Sequence, residues 1–116
     1  IQADLKWIGG FTEALKLAHA ADAVGIPMCL HTGANELYGQ HWTFAAPNVH
    51  LIEYILFSAP GIPLEECGLA SPSAAGRRTY RATPGTPIPK DGRVGLPPGP
   101  GFGIDLPEEW LIPWGA

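Results

Sequence analysis

Three polar residues of this chain, Asp4, His31 and Glu53, each stand where a short apolar stretch ends. His31 follows Asp4 by 27 residues, and Glu53 follows His31 by 22. These intervals suit consecutive strand and helix units of a (β/α) barrel at roughly 30 residues per unit. In such barrels the carboxyl ends of the strands form one mouth, where the chemistry takes place. The spacing therefore predicts an active site, and we interpret the chain as part of an enzyme.

The residue types at these positions indicate proton transfer. If Asp4 and His31 meet at the mouth, the carboxylate can accept the Nδ1 hydrogen of His31 and fix the ring's tautomer, so that Nε2 faces a substrate. A base placed in this way can take a proton next to a substrate carboxylate. That proton is only weakly acidic, so the enediolate also needs fixed positive charge nearby.

The elements that must position these residues can be read from the apolar pattern. Three- and four-residue intervals predict a helix over residues 11–24 that Gly25 ends. Residues 26–30 predict a parallel strand covered on both faces, and Asn35 is expected to cap a second helix that runs to about residue 46. Residues 51–56 predict a third strand. The expected buried face of the first helix consists of Phe11, Ala14, Leu15, Ala18, Ala21 and Val24.

The second half of the chain has a different composition. Eleven of the thirteen prolines lie between Pro60 and Pro113, so regular structure is expected to be sparse there. Residues 68–83 suit a surface loop, and residues 87–97 suit a hairpin around Lys90-Asp91-Gly92. We predict two units, a partial barrel over residues 1–57 that carries the catalytic strand ends and an irregular C-terminal tail over 58–116.

Composition excludes several classes of function. The net charge is −4, and the only basic cluster, formed by Arg77, Arg78 and Arg81, is too small for a nucleic-acid face. No apolar run is long enough to cross a membrane. Cys29 and Cys67 have no spacing typical of a disulfide framework or zinc site, which favours a cytoplasmic protein. The 116 residues are too few for a whole barrel, so we interpret the chain as a fragment.

Several motifs resemble a known family over nearly the whole chain. They are Asp4-Leu-Lys-Trp-Ile-Gly-Gly-Phe-Thr-Glu13, Gly25-Ile-Pro27, Cys29-Leu-His31, Asn48-Val-His-Leu-Ile-Glu53, Pro87-Ile-Pro-Lys-Asp-Gly92 and Pro100-Gly-Phe-Gly103. Together they resemble the mandelate racemase branch of the enolase superfamily around barrel strands six to eight. Within that branch the chain is most similar to acid-sugar dehydratases of the L-rhamnonate dehydratase kind, although it reads His31-Thr32-Gly33 where those proteins go directly from His to Gly.

The resemblance implies a fold and a reaction. The fold would be the C-terminal part of a TIM-like barrel, with a tail that packs on the barrel and on a capping domain. The reaction would be Mg²⁺-dependent dehydration of a small acid sugar, in which His31 takes the alpha proton and returns a proton to the departing beta hydroxyl. Glu53 would hydrogen-bond a substrate carboxylate oxygen, which requires a raised pKa if Glu53 donates. The Mg²⁺ ligands are expected upstream of this chain, so the isolated chain should be inactive.

Other assignments remain open at this point. His41 and Trp42 could contact the substrate from the segment after His31, or they could supply bulk to an amphipathic helix. A racemase or epimerase of the same branch would need a second base on the opposite face of the substrate. A non-catalytic truncated fragment is a third interpretation. We expect the full-length protein to be a homo-oligomer.

Overall fold

The computed structural model of this chain describes residues 1–55, 60–63, 85–106, 108 and 111. Within these residues strands and helices alternate in the order β1 (Gln2–Ala3), α1 (Phe11–Asp22), β2 (Cys29–Leu30) and α2 (Leu37–Ala45). The two strands pair in parallel, with Gln2 opposite Cys29 and Ala3 opposite Leu30. The predicted α/β order is confirmed, while the two described strands form an open sheet.

Glycines set both ends of α1. The helix starts after Gly10, whose φ of 90° lies in a region that favours glycine. At the other end the Ile26 N–H donates to the Ala21 carbonyl at 2.9 Å, and Gly25 between them has a φ of 71°. This is the Schellman arrangement, so the prediction that Gly25 ends the helix is confirmed.

The core lies between α1 and the sheet, and the fully buried residues of α1 are small. They are Ala14, Ala18 and Ala21, whose size lets the helix approach the strands closely, while Leu15 and Leu17 pack against the core partly buried. Phe11 and Val24, predicted on the same face, are 39% and 69% exposed. Phe11 is the first residue of α1, and Val24 follows its last residue, Asp22. The remaining buried residues of the core are Ala3, Leu5, Met28, Leu30 and Trp42.

The predicted third strand over residues 51–56 is not formed in its described part, residues 51–55. A single parallel bridge joins Met28 to Val49, before the predicted start. Further along, the Ala34 N–H donates to the Glu53 carbonyl at 2.9 Å. The apolar run lies beside the irregular segment after β2, which offers no continuous row of backbone partners, and a regular ladder therefore does not form.

Asn35 has a different role from the helix cap that was predicted. The N-cap residue of α2 is Glu36, and no side chain caps this helix. The Asn35 amide instead bonds the backbone of Ile55 twice, with Nδ2 donating to the carbonyl and Oδ1 accepting the N–H, each at 2.8 Å. This side chain thus satisfies two backbone groups that a neighbouring strand would otherwise satisfy.

Helix α2 packs tightly on the segment after β2. A Cβ placed on Gly39 would lie 2.5 Å from the Gly33 carbonyl oxygen, so a larger residue cannot be accommodated without a shift of backbone. The next residue on α2, the fully buried Gln40, donates through Nε2 to the carbonyls of Ala34 and Pro87, each at 2.8 Å. Gln40 therefore ties the proline-rich half to the first half of the chain.

The predicted turn at Lys90-Asp91-Gly92 is confirmed. Lys90 and Arg93 exchange two backbone hydrogen bonds of 2.7 and 2.9 Å, and Asp91 and Gly92 have φ angles of 50° and 72°. Positive φ at both central residues is typical of a type I′ hairpin turn. The hairpin predicted over residues 87–97 is limited to this one bridge.

Some predictions concern residues outside those described. These are the loop over residues 68–83, the cluster at Arg77, Arg78 and Arg81, and the boundary between 1–57 and 58–116, which falls within residues 56–59. Among the described helices, neither is long and apolar enough to cross a lipid bilayer.

Candidate active site

The parallel pairing of β1 and β2 brings the predicted site residues to one edge of the sheet. Asp4 directly follows β1, and His31 directly follows β2. The His31 N–H donates to the Ala3 carbonyl at 2.9 Å, so the ladder continues to the end of both strands. Glu53 reaches the same edge, since its carbonyl accepts the Ala34 N–H. The structure therefore brings Asp4, His31 and Glu53 into one region.

The closest contact at this edge joins His31 to Glu53. Nδ1 of the imidazole lies 2.9 Å from Oε2 of the carboxylate, and the side chains are 47% and 30% exposed. The Thr32 N–H donates to the same oxygen at 2.7 Å, while Gln2 Nε2 donates to Oε1 at 2.8 Å. The Glu53 carboxylate thus contacts three groups, and one of them is the Nδ1 atom of an accessible imidazole.

These contacts favour the charged form of Glu53. Its pKa is lowered chiefly by the hydrogen bond from the Thr32 N–H, with further contributions from the charge of His31 and from hydrogen bonds of Gln2 and His31, while burial acts in the opposite direction. A carboxyl group that donates to a substrate carboxylate would need a raised pKa. In this conformation Glu53 accepts hydrogen bonds, and its expected contact with a substrate carboxylate stays a prediction.

Asp4 is not the partner of the His31 Nδ1 atom, contrary to the prediction. Its Oδ1 accepts the Lys6 N–H at 2.8 Å, which closes a local turn. The His31 Nδ1 atom faces Glu53 Oε2, which also accepts the Thr32 N–H. Asp4 nevertheless lies with His31 and Glu36 along a narrow cleft, which in this conformation has no room for a water molecule.

Three residues near the site were missed by the sequence reasoning. Gln2 lies two positions before Asp4, and the two-residue period of a strand places both on one face, so alternation could have identified it. Lys6 forms an ion pair with Glu36, in which the side chains are 37% and 13% exposed. Neither spacing nor pattern indicates that pair, because it depends on the paths of two irregular segments.

Thr32 adopts a backbone conformation that is rare for its residue type. Its φ is 57° and it is 7% exposed. The left-handed region costs a non-glycine residue about 1 to 2 kcal/mol, and branching at Cβ makes it less accessible still. This conformation is the one in which the Thr32 N–H reaches Glu53, so local strain accompanies the geometry of the site.

His41 and Trp42 both have packing contacts in this structure. Trp42 is fully buried in the core, which favours the interpretation that it supplies bulk to the helix, and substrate contact by these residues stays a prediction. His41 packs edge-on against Phe102, with ring centroids 5.1 Å apart, and its Nε2 lies 3.3 Å from the Phe102 carbonyl oxygen. Periodicity alone could not separate these two roles, because adjacent helical residues point in different directions.

Among the described residues, no group of three or more His, Cys, Asp or Glu side chains is arranged to hold a metal ion. The residues described here therefore do not fit the Mg²⁺ centre that the family resemblance implies. What the site can do with its own groups is orient an imidazole and move a proton.

Comparisons of the chain with a family model and with curated proteins agree with each other. A family model described as enolase C-terminal domain-like matches residues 1–110. A protein of Caldivirga maquilingensis, provisionally named an L-rhamnonate dehydratase, is 29% identical over 112 residues, which cover 97% of this chain and 25% of that protein. A D-galactonate dehydratase family member of Enterococcus gallinarum is 29% identical over 110 residues, covering 90% and 23%.

A third relative, the L-rhamnonate dehydratase of Saccharopolyspora erythraea, is 30% identical over 109 residues, which cover 94% of this chain and 25% of that protein. The chain thus spans about a quarter of the length of these curated relatives. No solved structure matches it significantly.

Proposed function

This chain belongs to the enolase C-terminal domain-like family, and we propose that it supplies the proton-transfer residues of an enzyme that removes water from an acid sugar. The observation that carries the proposal is the accessible imidazole of His31, held by Glu53 through Nδ1 at the ends of parallel strands. The names of the relatives support the reaction class, since each is a dehydratase or a member of a dehydratase family.

The proposed chemistry begins at His31. Because Nδ1 faces Glu53, the other ring nitrogen, Nε2, is the one that meets the substrate. Nε2 takes the proton from C2 of the acid sugar, and the electron pair of that C–H bond moves into the carboxylate to give an enediolate. The enediolate then expels the hydroxyl group on C3, which takes a proton from the imidazolium and leaves as water. The resulting enol tautomerises to a 2-keto-3-deoxy acid.

The roles of the two carboxylates follow from their contacts. Glu53 fixes the ring and stabilises the imidazolium that forms after proton abstraction. Asp4 adds a second negative charge in the cleft that it shares with His31. The enediolate also needs positive charge. We propose that Mg²⁺ supplies it when bound by residues other than those described here.

The experiment uses the full-length protein and two acid sugars, L-rhamnonate and D-galactonate, in ²H₂O. We expect the wild type to exchange the C2 proton of at least one of them and to form its keto acid. His31→Asn removes the base and should lower both rates by about 10² to 10⁴-fold. His19→Asn is the matched control, because His19 lies exposed on α1 and should leave both rates unchanged.

Each outcome separates one interpretation from the others. Exchange that persists at the wild-type rate in His31→Asn would exclude His31 as the base. Exchange with inversion at C2 and without keto acid would favour the racemase or epimerase alternative. If the wild type neither exchanges the proton nor forms product with either sugar acid, the proposed function is wrong.

A further inference from the structure

We propose that Lys6 and Glu36 form a positioning pair that holds Asp4 in the cleft beside His31. The proposal rests on the proposed function, since it assigns a task to two residues that act through Asp4 and do not themselves touch the reacting atoms. It concerns the irregular segments that follow β1 and β2, where no pattern in the sequence indicated an interaction.

Lys6 is bound through its backbone and through its side chain. Its N–H donates to Asp4 Oδ1 at 2.8 Å, and its Nζ forms an ion pair with Glu36 Oε1. The first bond fixes the carboxylate of Asp4 to the turn after β1. The second joins this turn to the residue that precedes α2. Lys6 therefore connects the Asp4 carboxylate to the helix that follows the His31 segment.

The side chain of Glu36 is directed to Lys6 and not to the helix that it precedes. Glu36 is the N-cap residue of α2, and its side chain makes no hydrogen bond to the helix N-terminus. Its side chain is only 13% exposed, and burial is the main cause of its raised pKa, with Lys6 opposing and the charge of Asp4 adding to the shift. A buried charge costs desolvation energy unless it is well paired, so the position of Glu36 depends on Lys6.

Electrostatic repulsion explains why the pair matters for Asp4. Asp4, Glu36 and His31 line the same cleft, and the two carboxylates would repel each other without a cation that contacts both segments. Loss of the Lys6 charge should therefore let the turn after β1 move away from α2, and Asp4 away from His31. A displacement of about 1 Å near a reacting centre can lower the rate by about 10²-fold.

The test uses the full-length protein and the exchange assay with the same two acid sugars. Lys6→Met and Glu36→Gln each remove one charge while they keep most of the side-chain volume, and Lys6→Arg keeps the charge. We expect the first two variants to lower kcat by about 10-fold or more with KM changed by less than about twofold. Lys6→Arg should retain most of the wild-type rate.

The exposed ion pair between Lys16 and Glu13 on α1, at 2.7 Å, provides the matched control. Lys16→Met and Glu13→Gln remove the same charges away from the cleft and should leave kcat unchanged. The double variant Lys6→Met with Glu36→Gln should be no slower than the slower single variant, because residues that act as one unit do not add. Thermal unfolding shows whether each variant is folded, so that a lower kcat can be assigned to the folded protein. If Lys6→Met does not fold, the kcat of Glu36→Gln tests the positioning role.

Equal kcat values for Glu36→Gln and the control variants would overturn the positioning role, as would a change confined to KM or a Lys6→Arg variant as slow as Lys6→Met. These results leave the proposed function intact if His31→Asn still lowers exchange by about 10²-fold or more. A wild type without exchange on either sugar acid would overturn both proposals.

Discussion

Oε2 of Glu53 lies 2.9 Å from Nδ1 of His31 and accepts the N–H of Thr32 at 2.7 Å. One oxygen atom therefore fixes both the imidazole ring and the backbone that follows it. A carboxylate at Nδ1 favours the tautomer with its proton on that nitrogen. Nε2 is then the nitrogen available for proton transfer.

Glu53→Gln tests this relationship. The substitution keeps the shape of the side chain, removes its charge and leaves one acceptor oxygen in place of two, so that the amide NH2 must face either the Thr32 N–H or the Nε2 donor of Gln2. We expect proton exchange to fall by about 10²-fold, measured in the full-length protein. Glu13→Gln, on the exposed surface of α1, is the control. If Asp4→Asn is much slower than Glu53→Gln, the originally predicted pair of Asp4 with His31 operates during catalysis.

The lowered pKa of Glu53 predicts how stability depends on pH. A carboxyl group whose pKa is lower in the folded state stabilises the fold above its unfolded pKa, and this contribution is lost as pH falls through the folded pKa. The ordinary value for Glu53 is 4.5, so the contribution should be complete at neutral pH and decrease below 4.5. The difference in thermal midpoint between wild type and Glu53→Gln should therefore shrink in acid. A difference that stays constant over this range would contradict the assignment.

Trp42 should matter for stability and not for substrate affinity. It is fully buried, so Trp42→Ala is expected to lower the free energy of unfolding by about 3 to 5 kcal/mol. Trp42→Phe should cost less, because Nε1 has no hydrogen-bond partner among the described residues and its removal breaks no bond. Denaturant unfolding measures both, with Trp7→Phe, at an 86% exposed position, as the control. A large increase in KM for Trp42→Phe without loss of stability would restore the substrate-contact interpretation.

Gly39→Ala should destabilise the protein, although alanine ordinarily improves a helix by about 1 kcal/mol over glycine. The added Cβ would lie 2.5 Å from the Gly33 carbonyl oxygen, and the backbone must shift to relieve that contact. We expect a net loss of about 1 to 2 kcal/mol and slower exchange, because Gly33 belongs to the segment after His31. Gly95→Ala is the matched control, since a Cβ there meets nothing within 4 Å. A Gly39→Ala variant that is more stable than the wild type would show that α2 and the segment that contains Gly33 can move apart at little cost.

The parts of this fold that depend on local chemistry could be predicted from the sequence. The start and the end of α1 follow from Gly10 and Gly25, which supply backbone angles that other residues rarely adopt. The turn at Asp91-Gly92 follows from the same preference. Positions at the ends of two parallel strands share an edge by geometry, and for this reason Asp4 and His31 could be expected together.

The parts that depend on distant segments could not be predicted. The sequence contains two carboxylates that could face His31, and the choice of Glu53 over Asp4 depends on where the Thr32 N–H points. The apolar residues after Leu51 have a strand pattern, yet their neighbour is the irregular segment bonded by Asn35. Burial of Trp42 next to the partly exposed His41 depends on the rotation of α2, which a short amphipathic pattern leaves undetermined.

The two hydrogen bonds of Gln40 have a consequence for how the two halves of the chain influence each other. One buried amide grips the carbonyl of Ala34, three residues after His31, and also the carbonyl of Pro87. A displacement of Pro87 therefore acts directly on a side chain that also holds the segment after His31. If His31 is the base, as proposed, a sequence change in the proline-rich half can alter the surroundings of the imidazole without replacing any residue next to it.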